Sequence, residues 1–185
     1  MGIRRTLVAL AAGIMLGLNG AAAEAGPLIE GTFSLAGQFV PVDAETGDEV
    51  DLEDATGIDF LNLNGSNAAS SGQFLVTTAS DDFAPLLFLP FGTIKDFAFA
   101  GLGSAGFPTL PIAGFESLLL GSLQFDLQEM TVAFQNDNVL HLTGTGIFNW
   151  SSAGFDPTPG TFDFFGTAGG VQLSFNSADA INPVP

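Results

Sequence analysis

The residues able to do chemistry are few and unevenly spread. Asp43, Glu45, Asp48, Glu49, Asp51, Glu53, Asp54 and Asp59 place eight carboxylates within seventeen residues. Calcium takes about six to eight hard oxygen ligands, which clustered carboxylates on a flexible loop can supply. Asp43, Glu45, Asp48, Glu49 and Asp51 are therefore the calcium candidates, and calcium is the one cofactor suggested. Their spacing matches neither the EF-hand loop nor the glycine-rich repeat of calcium-binding β-helices, so a plain solvated loop is the alternative.

His141 is the sole histidine, and any Ser-His-Asp or histidine-metal scheme would have to use it. It falls among threonines on the polar side of a strand-like run, as an ordinary surface residue does. No G-x-S-x-G elbow occurs. Gly101-Leu-Gly103-Ser-Ala-Gly106 fits a dinucleotide fingerprint, but Phe107-Pro108-Thr109-Leu110-Pro111 follows it and cannot open the helix that would hold a pyrophosphate. A glycosidase needs two carboxylates across a cleft, and among so many acids no pair stands out; Asp81 and Asp82 are adjacent, and adjacent strand or turn residues point apart. No catalytic residue is assigned, and the expectation is a protein that is not an enzyme.

Charge narrows the partners. The 185 residues carry twenty acidic and three basic side chains, a formal net charge of −17. Such a surface repels phosphate backbones and anionic headgroups, so neither nucleic-acid binding nor a basic membrane-binding patch is expected. The absence of cysteine excludes disulfides and thiolate zinc sites.

Arg4 and Arg5 precede the apolar stretch Thr6 to Leu18, and Ala21-Ala22-Ala23 or Ala23-Glu24-Ala25 supplies the small-residue pattern of a cleavage site. The stretch is shorter than the roughly 20 apolar residues of a membrane span. Residues 1–25 thus read as a Sec-type signal peptide and 26–185 as one exported domain, placed outside the cell, on its surface or in the periplasm. Removing the signal leaves 160 residues with nineteen carboxylates and Lys95 as the only lysine or arginine.

The elements that must position these residues are strands. Ile29 to Leu35 alternates apolar or small with polar residues, the period of a half-buried strand, with Pro41 expected to end it. Further strands are expected at Ile58 to Leu63, Gln73 to Thr78, Ile94 to Phe99, Ser122 to Phe134, Val139 to Trp150, Thr161 to Phe165 and Val171 to Phe175. Breakers separate them, including Gly101 to Pro111 and Asp156-Pro157-Thr158-Pro159-Gly160, where Gly160 is free to take a positive φ. Helix is nearly absent. The fold class is all-β, a single antiparallel β-sandwich or barrel-like domain of about seven to nine strands. In Val139 to Trp150, one face carries Leu140, Leu142, Phe148 and Trp150, and Gly144 and Gly146 leave room there for facing phenylalanines.

Leu142-Thr-Gly144-Thr-Gly146-Ile-Phe148, then Gly154-Phe155-Asp156-Pro157-Thr158-Pro159-Gly160-Thr161-Phe162, then Val171-Gln-Leu173-Ser-Phe175-Asn-Ser177-Ala178 follow in a suggestive order. Upstream, Ile29 to Gly37, Ala55 to Phe60, Ile94 to Phe97 and Leu123 to Leu127 look like successive strands of the same type. In this order the chain resembles the small exported PEP-CTERM proteins of Gram-negative bacteria, which exosortase systems process, over most of residues 26–185. Members of that family continue into a "VPEP"-like signal, an apolar span and a basic end, whereas this sequence stops at Ile181-Asn182-Pro183-Val184-Pro185. Two readings stay open: the anchor is missing from this sequence, or the protein is released without sorting. The resemblance implies a non-catalytic protein of the cell surface or the exopolysaccharide biofilm matrix, with extracellular polysaccharide or other surface proteins as partners. The alternatives are a carbohydrate-binding module, which should show exposed aromatics and whose sole Trp150 is expected buried; a secreted hydrolase using a carboxylate pair; a self-assembling fibre subunit with weakly protected strand edges; and a calcium-binding adhesin-like domain.

Overall fold

The computed structural model describes residues 25–67, 69–88, 91–104, 106–118, 122–167 and 170–177. All but the last residue of the expected signal peptide, and the chain end at Val184-Pro185, lie outside the described residues. Among the described residues the alternating segments become ten strands: β1 Thr32–Val42, β2 Gly57–Leu61, β3 Ser71–Ala79, β4 Gly92–Lys95, β5 Phe97–Ala98, β6 Ile112–Leu118, β7 Leu123–Gln135, β8 Val139–Asn149, β9 Thr158–Thr167 and β10 Gly170–Ser177. Eight of them, in the order β1-β3-β4-β6-β7-β8-β9-β10, pair antiparallel, and β10 pairs back onto β1 from Thr32↔Asn176 to Gly37↔Val171. The fold is therefore all-β, and of the two expected architectures it is the closed barrel. Closure gives each barrel strand a partner on both sides, which removes the free edges of an open sheet.

β1 does two jobs. Its first half, Thr32 to Gly37, is shared between β10 and β3, and its second half, Gln38 to Val42, leaves the ring to pair with β2, which in turn pairs with β5. Phe39, Phe60 and Phe164 meet where this side sheet packs on the barrel.

Strand alternation sends the apolar residues inward, and eleven phenylalanines, Phe33, Phe60, Phe74, Phe83, Phe97, Phe115, Phe125, Phe148, Phe162, Phe164 and Phe175, are almost fully buried. Phe33 stacks on Phe175 at 5.0 Å between ring centres, and Phe125 lies 4.7 Å from Phe148. This arrangement, apolar within and threonine-rich without, is the reverse of a barrel that faces lipid. The expected inward face of β8 is realised: Leu140, Leu142, Phe148 and Trp150 are buried. A Cβ on Gly146 would lie 2.6 Å from the Phe125 ring, so the missing side chain does leave room for a phenylalanine.

Four local expectations are corrected. Pro41 does not end β1; it pairs with Ile58, and because this half of β1 has only β2 as a strand partner, a residue without an N–H fits there. The expected strand Ile94 to Phe99 splits at Asp96, whose carboxylate accepts the N–H of Phe60 at 2.8 Å instead of pointing outward. β6 was not expected, because a register shift between Ile112 and Glu116, with Gly114 at φ 55°, buries consecutive Phe115 and Glu116 and erases the alternation. The reversal before β9 is made by a short 3₁₀ turn, Ser151–Ala153, capped by Gly154 at φ 85°, while Gly160 lies within β9.

Candidate functional site

The outer face of β7 to β10 collects polar groups in cross-strand rows. Alternation on β8 puts His141, Thr143 and Thr145 outward, and register places Thr131 beside Thr143 and Thr143 beside Asp163, with Glu129, Thr145 and Thr161 in the next row. Glu129, Thr131, Thr143, Thr145, Thr161, Asp163 and Asn176 line a shallow groove of about 370 Å³. One row further along, register aligns Phe134, His141 and Phe165. Phe134 and Phe165 are 53% and 45% exposed, so two aromatic rings face outward at one end of a hydroxyl-rich groove. His141 Nε2 lies 3.1 Å from the Asp163 carboxylate, and its ring meets Phe165 at 6.1 Å. His141 is thus half-buried on the outer face, held between an acid and an aromatic ring.

The calcium candidates are not brought together. Asp43 Oδ1 accepts the N–H groups of Glu45 and Thr46, folding its own turn, while Glu45, Asp48, Glu49 and Asp51 are exposed. Among the described residues no three acidic or histidine side chains form a group that could hold a metal. The loop is nevertheless fastened: Gln135 Nε2 donates to the carbonyls of Leu52 and Ala55, both at 2.9 Å.

A second pocket, of about 530 Å³, opens where the Gly47 turn, the middle of β2, the segment leading into β3, Asp96 and the Gly106-Phe107 segment meet. Its lining holds Asp59, Asp96, Asn67, Ser70 and Phe107. Asp96 is 2% exposed, and burial, opposed by the Phe60 and Ser70 backbone and reinforced by neighbouring Asp59, pushes its carboxyl up to about 7. Asp59 is also raised by burial, with the Asn67 hydrogen bond pulling the other way. Asn67 Nδ2 donates to Asp59 Oδ2, whereas Asp59 Oδ1 is buried without a partner. Compared with known protein families, curated proteins and solved structures, the chain has no match.

The third buried acid stands apart. Glu116 on β6 is 1% exposed among Ile94 and Phe125, its register partners, with Oε1 unpartnered, and burial holds its carboxyl well above the usual range. It lines none of the pockets above and is read as a neutral acid in the core. Sequence reasoning missed the Asp59–Asp96 pair, since the two are thirty-seven positions apart and Asp59 reads as the last member of the acidic run. It also missed Phe134 and Phe165, because the search for exposed aromatics turned on Trp150, which is buried as expected. A signal was present at one of them: of the consecutive Phe164 and Phe165, alternation lets only one face inward, but register alone aligns Phe165 with His141 and Phe134.

Proposed function

We propose that this protein is a non-catalytic exported barrel of the bacterial surface or the exopolysaccharide matrix, and that it binds polysaccharide on its outer face and not in its interior. The observation that carries the reading is the row Phe134–His141–Phe165 beside the groove of threonines, Asp163 and Asn176. Exposed rings stack on the apolar faces of sugar rings, and hydroxyl, amide and carboxylate groups pair with their hydroxyls. The interior supports the same reading, since phenylalanines fill it. With a formal charge of −17, neutral glycans are favoured over acidic ones. The test is affinity electrophoresis through gels containing dextran, curdlan or cellulose derivatives. Retardation by at least one of them, lost in the Phe134→Ala/Phe165→Ala double variant, supports the reading; unchanged mobility in all overturns it.

One observation favours a second reading, a secreted hydrolase: Asp96, raised to about 7 beside Asp59 in an open pocket, has the protonation behaviour of a general acid. Turnover in a glycoside screen, abolished by Asp96→Asn, would replace the first reading by this one.

A further inference from the structure

The pocket at Asp59 and Asp96 has a chemistry the outer face does not share. Two carboxylates within electrostatic reach of each other line it together with the Asn67 amide and the Ser70 hydroxyl, so each polar side chain in its described lining carries an oxygen, although Asn67 turns its nitrogen to Asp59. Asp59 is 8% exposed, and its Oδ1 has no hydrogen-bond partner. A buried carboxylate oxygen in that state is costly unless something cationic or protic meets it. Among the described residues no lysine, arginine or histidine lines the pocket, and Lys95, adjacent in sequence to Asp96, turns its Nζ to the Ala113 carbonyl at 2.6 Å. Phe60 N–H occupies one oxygen of Asp96 and Asn67 one oxygen of Asp59, which orients both carboxylates.

We propose that this pocket is a divalent-cation site of the calcium type, with Asp59 and Asp96 as its anionic ligands and Asn67, Ser70 and water completing an oxygen shell. Calcium suits it because the ion tolerates irregular, partly aqueous oxygen coordination in an open pocket, whereas magnesium demands a tight octahedron. The site differs from the acidic loop, whose Asp48, Glu49 and Asp51 are exposed to solvent. It is also independent of the outer-face reading, as it shares no residue with that groove. Among the described residues Asp59 and Asp96 are the only charged groups lining the pocket, so they supply its negative charge.

The experiment is calorimetric titration of the full exported domain with calcium chloride at constant ionic strength, in mildly alkaline buffer, alongside Asp59→Asn, Asp96→Asn and the loop variant Asp48→Asn/Glu49→Gln. One saturable event is expected, lost in each pocket variant and retained in the loop variant. No heat beyond the sodium chloride control, or binding that survives both pocket variants and disappears in the loop variant, overturns the proposal. Should the pocket variants fail to fold, the exposed ligands decide: the Asn67→Ala/Ser70→Gly double variant, whose glycine suits the positive φ at Ser70, should bind calcium more weakly than the wild type, and unchanged binding overturns the site.

Discussion

The ring of Phe148 on β8 fills the space that a side chain on Gly160 of β9 would occupy: a Cβ there would lie 2.3 Å from Phe148 Cε2. Phe148 in turn packs on Phe33, Phe83, Phe125 and Phe175, so a displaced ring disturbs the centre of the barrel. Gly160→Ala is therefore expected to destabilise the protein by roughly 1–3 kcal/mol, the usual range for overpacking a filled core. Gly106→Ala, where a Cβ meets nothing within 4 Å, is the control and should leave the denaturation midpoint in place.

Glu116 sets a pH dependence with a definite sign. Its carboxyl is raised by burial, so the folded state keeps a proton that the unfolded chain gives up above the ordinary value of 4.5. Stability from this group is full below that value and is lost as pH rises toward the folded-state value. Glu116→Gln should thus match the wild type in acid and be the more stable protein in mild alkali, as read by urea denaturation at both ends. A wild type that is equally stable at both would show that Glu116 finds a partner.

Asp96 acts in the same direction over a nearer window. With its carboxyl moved from 3.8 to about 7, folding loses stability steadily between those values as pH rises, and Asp59 adds to the loss. Thermal melts of the wild type should fall from weakly acid to neutral pH. In Asp96→Asn the fall should be shallower, because Asn keeps an oxygen for the Phe60 N–H and has no proton to lose.

Gln135 ties the acidic loop to the end of β7 through one amide nitrogen. Gln135→Ala removes these bonds from partly buried carbonyls, at a cost of roughly 1–2 kcal/mol. Hydrogen exchange should accelerate across residues 51–56 while β8 and β9 keep their protection. Uniform acceleration would mean the loop and the barrel open together.

The double variant Phe134→Ala/Phe165→Ala removes rings that are about half exposed, so its folding stability should change far less than the roughly 3–5 kcal/mol of a buried Phe→Ala. A melt close to the wild type would make any loss of glycan retention a binding effect.

Much of the architecture was readable from local pattern. The alternation in Val139 to Trp150 predicts the inward face of β8, and the glycines on that face predict large neighbours, because both follow from the two-residue period of a strand. Where a bulge breaks the period, as at Ile112 to Glu116, the reading fails, and where Asp96 turns inward a single apolar run becomes two strands.

The charge balance, the exclusion of thiolate chemistry and the all-β class belong to the chain alone, since they depend on residue counts and nearest-neighbour alternation. Barrel or sandwich was a different matter: it rests on the β1–β10 pairing, across more than a hundred residues of sequence. The same holds for both candidate sites. Acidity in Asp43 to Asp59 is visible in one line of sequence, yet Asp59 pairs with Asp96 instead of its own run, because β1 carries β2 out of the ring and against β5. Phe134, His141 and Phe165 align only through inter-strand register. Register is set by long-range pairing and by bulges, so no local pattern contains it.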